Sequence, residues 1–319
     1  MIRYIIKRLL YLIPVILIVS FIVFALMDLT PGSALDNMIP SDATPEMVEA
    51  IRAQYDMDKP MIYRYAKYMY HFVQGDLGKS DISGESIMQM YLTRLPNTLL
   101  LAVTSLFIAA ILAIPMGIRA ARHAGTLTDT LTTVVTLIGM SMPAFWLGLL
   151  LLFLFSFQLH WFPAGGNQGI LSYVLPSICN GLNMMAGTTR QTRAAMLEVL
   201  NADFLRTARA KGVPERRVIW KHALGNAMIP ILTTLGGNLS TAMAGSVVIE
   251  SVFAWPGVGR LTAEAIMSRD TKLACGSVIM TTILYMLMIL LVDLAYAFVD
   301  PRIKARYVRP KKVRRRATA

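Results

Sequence analysis

Charged residues along this chain are separated by long apolar gaps. Between Arg8 and Asp28 lie 19 residues without Lys, Arg, Asp or Glu; between Arg94 and Arg119 there are 24, between Lys221 and Glu250 28, and between Lys272 and Asp293 20. A helix rises about 1.5 Å per residue, so roughly 20 apolar residues cross a hydrocarbon core of about 30 Å. Each of these gaps suits one crossing. The gap from Asp129 to Arg190 has 60 residues and is interrupted by Trp161-Phe162-Pro163-Ala164-Gly165-Gly166-Asn167-Gln168-Gly169. Aromatics followed by Pro and Gly read as a turn at the membrane surface, so this gap holds two crossings. The pattern predicts six in all, over residues 9–28, 97–118, 130–157, 171–190, 227–249 and 276–299. Pro115, Gly139, Pro143, Gly148, Gly236, Gly237 and Gly245 fall inside them and permit kinks or close packing.

The segments between the crossings divide the chain. Residues 1–30 form a first transmembrane helix, too long and too poor in small residues at its end to be a signal peptide. Residues 31–94 form an extracytoplasmic segment. Within it Thr44-Pro45-Glu46 reads as a helix start, Met47, Ile51 and Tyr55 recur at four-residue spacing, and Ile62, Tyr65, Tyr68, Met69 and Phe72 continue an amphipathic pattern after Pro60. One or two short helices are expected on the outer surface, as a packing lid rather than a separate binding domain. Residues 95–300 carry a five-helix core with a cytoplasmic loop at 200–225, and residues 301–319 form a basic cytoplasmic tail.

Charge fixes the orientation of these elements. The chain carries 31 Lys and Arg against 19 Asp and Glu, a net charge of +12. With the N-terminus inside, the cytoplasmic segments hold 22 of the basic residues and the outer ones 9, as the positive-inside rule requires. The run Lys311-Lys312-Val313-Arg314-Arg315-Arg316 reads as an inside anchor near anionic lipid rather than a nucleic-acid site. Only 16% of residues are charged and 55% are hydrophobic, with a mean hydropathy of +0.54, which excludes an ordinary soluble domain. Cys179 and Cys275 fall in or beside membrane helices and indicate neither a disulfide framework nor a zinc site.

The stretch Asn201–Pro230 is the most informative. Asp203 is positioned to cap a helix through Phe204–Lys211, Gly212 suits the left-handed residue that ends it, and Pro214 and Glu215 suit the first turn of a second helix. Two short helices joined at a glycine elbow are expected. They carry Arg206, Arg209, Lys211, Arg216, Arg217 and Lys221 among Phe204, Leu205, Val213, Val218 and Ile219. By composition alone this is an interfacial helix pair.

Detail adds more. Arg206-Thr207-Ala208 with Gly212 resembles the Glu-Ala-Ala, three residues, Gly pattern in the cytoplasmic coupling loop of bacterial ABC-importer permeases, with the first Glu and first Ala replaced. Arg206-Thr207-Ala208-Arg209-Ala210-Lys211-Gly212 and His222-Ala223-Leu224 with Asn226, Ala227 and Pro230 resemble the dipeptide/oligopeptide/nickel branch of that family, in its B-type subunits. The same resemblance extends to Asp76-Leu77-Gly78-Lys79-Ser80, Arg94-Leu95-Pro96-Asn97-Thr98, Pro163-Ala164-Gly165-Gly166 and Glu250 through Leu261. It reaches Val292-Asp293-Leu294-Ala295-Tyr296-Ala297 and Asp300-Pro301-Arg302.

The resemblance implies an all-α membrane protein, a MetI-like ABC permease bundle of six transmembrane helices with N- and C-termini cytoplasmic. It implies a non-catalytic subunit of the inner membrane that forms a translocation path for di- or oligopeptides, or for glutathione or nickel chelates. The implied partners are a second homologous permease, two ATPase subunits that hold ATP and Mg, and an extracytoplasmic binding protein. The implied ATPase-coupling residues are Asp203, Arg206, Thr207, Ala208, Arg209, Ala210, Lys211, Gly212, Val213, Glu215, Arg216 and Val218.

Other chemistries find less support in the residues. Gly78-Lys79-Ser80 lacks the earlier glycine of a phosphate-binding loop, because Val73 stands there. His71, His123, His160 and His222 fall in different loops, so no metal site or cofactor is expected of this chain. The Met-rich composition, including Met140, Met142, Met184 and Met185, reads as adaptable packing. Asp293 is expected to pair near the inner interface rather than relay protons. A stand-alone ion-coupled transporter would show internal repeats and mid-membrane charges, and an intramembrane enzyme a nucleophile–base pair; neither pattern is evident in the sequence.

Overall fold

The structure, a computed structural model, describes residues 2–30, 44–54 and 56–299. The basic tail, Asp300-Pro301-Arg302, Tyr55 and the 31–43 part of the outer segment lie outside the described residues. The chain runs through α1 (Ile2–Leu29), α2 (Pro45–Gln54), α3 (Met61–Val73), α4 (Ile87–Arg122), α5 (Leu127–Ser141) and α6 (Ala144–Leu151), which continues as π-helix over Leu152–Gln158. It goes on through α7 (Leu171–Leu200), α8 (Asp203–Ala210), α9 (Glu215–Arg217), α10 (Leu224–Met243), α11 (Val247–Val252), α12 (Val258–Met267) and α13 (Thr271–Val299). Among the described residues the fold is all-α.

Among the described residues, three stretches are long and apolar enough to cross a membrane: Ile5–Leu29, Ile87–Arg122 and Thr271–Ala295. The expected crossing at 130–157 is not one straight rod. Leu127–Ser141 and Ala144–Gln158 meet at an angle of 100°, and counting them as one bent span makes four. Pro143 causes the bend. It lacks an N–H and pushes Met142 out of the α region, to φ −80° and ψ 122°. The expected span at 171–190 is helical as part of α7, and that at 227–249 is helical as α10 only to Met243, breaks at Gly245, where φ is +95°, and resumes as α11; both are more polar than the others. Ser177, Asn180, Thr188, Thr189, Thr192 and Ser240 are buried on them, as suits helices that face one another inside a bundle.

The bundle has two ends, and α4 runs between them. Its start packs with Leu261 of α12 and Leu273 and Ala274 of α13, while its end packs with Met196 of α7, Leu205 of α8 and Val218 and Ile219. α7 runs parallel to it. Thr104 Oγ1 lies 2.8 Å from Ser177 Oγ, and further along a Cβ on Gly117 would lie 2.5 Å from the Thr192 Cβ. Gly117→Ala is therefore expected to destabilise the protein by about 1–3 kcal/mol, the usual range for overpacking. A lowered unfolding temperature of the purified protein checks this.

α13 starts beside the start of α4, and its far end meets the first turns of α1, where Arg8 Nη2 lies 2.5 Å from Asp293 Oδ2. That ion pair supplies the partner for Asp293. It also gathers the start of α1 and the end of α13 at the bundle end that carries α8.

Candidate functional site

α8 is fastened to the bundle by one side and open on the other. Leu205 points inward and is fully buried with Ile118, Met196, Val218, Ile219 and Ile231. Ala208 and Val213 are half-buried against the same cluster. Arg206, Thr207, Arg209, Ala210, Lys211, Gly212, Glu215 and Arg216 are exposed. The structure thus gathers the expected coupling residues into one projecting element. Val218 alone is fully buried, so it anchors the elbow instead of lining its surface. Phe204, one of the apolar residues of this pair, and Trp220 remain 44% and 47% exposed, adding two aromatic side chains to the surface of the elbow.

The elbow geometry follows from three residues. Gly212 has φ +73°, a conformation that costs other L-residues about 1–2 kcal/mol. Its N–H donates to Arg209 O at 2.9 Å and that of Val213 to Ala208 O at 3.2 Å, the paired bonds of a Schellman stop. Arg209 then reaches across the turn. Its Nε and Nη2 each donate to a Glu215 carboxylate oxygen at 3.1 Å.

Two expectations need correction here. Asp203 does not cap α8, because Ala202 holds the non-helical position at φ −74° and ψ 142° and Asp203 is the first helical residue. Its carboxylate stays exposed, 3.6 Å from Arg206, where it favours the helix start only by charge. The second short helix is not separate either. Pro214 sits just before it, at φ −55° and ψ 137°. From Glu215 the chain runs through α9 and a π-helical turn, Val218–Ala223, straight into α10. The elbow therefore joins a short helix to a continuous rod ending at Met243.

Hydrogen bonding to Arg209 holds the Glu215 carboxyl below its usual range. A lowered native pKa gives stability that is present above the ordinary carboxylate value and lost as pH falls through the lowered one. Both side chains are nearly half exposed, so Glu215→Gln is expected to change stability by less than about 1 kcal/mol. The measurable consequence is a flatter acid limb in thermal unfolding.

At the other end of the bundle, several motifs named separately in the sequence meet around Glu250, which is fully buried. Val258 N–H donates to Thr98 Oγ1 at 2.9 Å, and the Thr98 hydroxyl in turn donates a hydrogen bond to Glu250 Oε1 at 2.8 Å. Arg260 N–H donates to Oε2 at 2.9 Å. Burial holds the Glu250 carboxyl above its usual range, against the opposing pull of these donors. Trp255, fully buried, donates to Asn97 O at 3.3 Å, Asn97 Nδ2 donates to Pro256 O at 3.0 Å, and Gly166 N–H donates to Phe253 O at 3.0 Å. The Asp76–Ser80 motif docks nearby, with the Ser80 hydroxyl donating to buried Asp270 and Lys272 pairing with Asp81 at 2.7 Å.

Comparison with known proteins finds matches over nearly the whole chain. Residues 113–305 match the family model described as binding-protein-dependent transport system inner membrane component. Residues 1–102 match the model for the N-terminal part of such membrane components. The glutathione transport system permease protein GsiC of Escherichia coli (strain K12) is 38% identical over 304 residues, covering 95% of this chain and 99% of that protein. The oligopeptide transport system permease protein AppB of Bacillus subtilis (strain 168) is 36% identical over 315 residues, covering 95% of this chain and 100% of that one. Among solved structures, an inward-facing form of the MetNI methionine ABC transporter matches with a TM-score of 0.59 at 15% identity, over 67% of this chain and 98% of that chain. A second crystal form matches with a TM-score of 0.56 at 17% identity. This likeness shows a MetI-like fold.

Proposed function

Because the chain belongs to the family of binding-protein-dependent transport system inner-membrane components, we propose that it is the permease subunit of an ATP-binding-cassette importer for di- and oligopeptides. The family match over nearly the whole chain carries this reading. Relatives named for oligopeptide and for glutathione transport favour a substrate that is a small peptide, with glutathione as the second reading. In this account the four apolar spans are joined by α7 and α10 as six crossings, with both termini and the α8 elbow on the cytoplasmic side. A second homologous permease completes the path, a binding protein delivers substrate from outside, and two ATPase subunits below bind ATP and Mg and hydrolyse the nucleotide.

The role of this chain is then mechanical. α8 presents Phe204, Arg206 and Arg209, and the turn after it Lys211, to a cleft of an ATPase subunit, and Leu205 roots α8 in the bundle. Closure of the ATPases moves α8, and the unbroken stretch from Glu215 to Met243 carries that displacement into the membrane. A lever of this kind needs a stiff arm and a fixed elbow, which the Schellman stop and the Arg209–Glu215 bridge supply. The test is uptake of labelled dipeptide, oligopeptide and glutathione into vesicles holding the assembled transporter. Uptake is expected to require ATP and both ATPases, and transport by the permease without them would contradict the proposal.

A further inference from the structure

α3 sits lower against α1 than an outer lid would. Its Arg64 pairs with Asp28, near the end of α1, at 2.5 Å. Its Tyr65, one residue on, donates to Leu17 O at 2.9 Å and meets Ser20 Oγ at 2.9 Å. Leu17 and Asp28 are separated by about 16 Å along the helix axis. A phenol cannot cover that drop from a helix lying above Asp28, so the backbone of α3 lies below the level of that charge. Tyr68 also packs against Phe24 and reaches toward Gly276 of α13.

The sequence of α3 divides into three stripes at helical spacing. Tyr65, Tyr68 and Phe72 face α1 and the bundle. Arg64, Lys67 and His71 form a polar stripe. Ile62, Tyr63, Tyr70 and Val73 form a third stripe that is 51–80% exposed. Ile62 and Val73 lie next to Tyr65 around the helix, and Tyr65 stacks edge-on against Phe21, beside the exposed Ile18 and Ile22 of α1. Continuity with an apolar span, and a depth below Asp28, identify the occupant as lipid.

We propose that α3 is an interfacial helix. Its Ile62, Tyr63, Tyr70 and Val73 stripe enters the leaflet at the Asp28 end of α1, while Lys67 and His71 face the headgroups and water and Arg64 holds Asp28. Helices of this kind bury an apolar face about 5–10 Å into the headgroup–acyl boundary, and tyrosines are enriched at that level. α3 thereby braces the outer halves of α1 and α13 against the leaflet.

Nitroxide labels test this in the full transporter reconstituted in phospholipid nanodiscs. Cys179 and Cys275 are fully buried, so labels report on introduced thiols in Ile62→Cys, Tyr70→Cys, Val73→Cys, Lys67→Cys and His71→Cys. At positions 62, 70 and 73, collisions with oxygen are expected to exceed those with a water-soluble nickel chelate. At 67 and 71 the ratio is expected to invert. Dominant nickel collisions at all five positions would place α3 in water and overturn the proposal. Exclusion of both reagents at 62, 70 and 73 would mean that protein covers the stripe, such as the second permease or a binding protein, and would overturn it equally. The readout needs no transport, so its outcome is separate from that of the uptake assay.

Discussion

Gly212→Val is expected to abolish ATP-dependent uptake while leaving the protein in the membrane at near-normal amount. The reason lies in the backbone. Gly212 holds φ +73° and has open space where a Cβ would go, with no atom of the described residues other than its own chain neighbours within 4 Å. Any loss on substitution therefore arises from conformation or from a docked partner, not from a clash inside this chain. An ordinary residue in the left-handed region costs about 1–2 kcal/mol, close to a tenfold drop in the population of the correct elbow. A β-branched residue costs more, because its crowded χ1 adds to the strain. Asn tolerates this conformation. A graded series is therefore expected, with Gly212→Asn keeping most uptake, Gly212→Ala losing about tenfold, and Gly212→Val losing nearly all. Uptake and substrate-stimulated ATP hydrolysis in vesicles check the order. Equal activity across the series would remove the elbow from the mechanism.

Glu250→Ala is expected to have the largest effect on stability. It leaves the Thr98 hydroxyl and the Arg260 N–H without their acceptor in a fully buried site. Each unpaired buried donor costs about 1–3 kcal/mol, and the lost carboxylate volume adds a cavity. Against a total stability of about 5–15 kcal/mol, the variant is expected to accumulate poorly and melt early. Glu250→Gln keeps the shape but sets an amide N–H against one of the donors, so it should fall between Ala and wild type. The two also differ in pH dependence. The raised native pKa of Glu250 gives stability that is present below the ordinary carboxylate range and lost as pH rises through the raised value. Melting curves across that window should slope for the wild type and lie flatter for Glu250→Gln.

Local signals in the sequence were read well, and distant ones were not. The charge gaps place α1 and α13 within several residues, because an apolar run bounded by charges is itself the physical requirement for a span. α4 starts ten residues before its expected crossing and α7 ends ten after its own. In those extra turns Ile87 and Tyr91 of α4 and Thr192, Ala195 and Met196 of α7 are buried, so neighbouring chain, not lipid, supports them. The α5–α6 bend was missed although Pro143 was noted, since hydropathy carries no direction. The elbow was legible because Gly212, Pro214 and Glu215 act within a few residues of themselves. Asp203 was misassigned by one position, as adjacent residues compete for a cap and Ala202 holds the extended backbone. The Glu250 knot joins Thr98 to residues more than 150 positions away, and no local pattern encodes a contact at that separation. Its motifs were visible, but their meeting point was not.

The central claim is that the exposed face of α8 sits in an ATPase subunit. It is most directly tested by site-specific crosslinking from Phe204→Cys, Arg206→Cys and Thr207→Cys in the assembled transporter. Efficient adducts to the ATPase from all three, changing in yield when ATP binds, are what the account predicts. Labelling of these positions by a membrane-impermeant thiol reagent applied from the outer side, with no adduct to the ATPase, would contradict it.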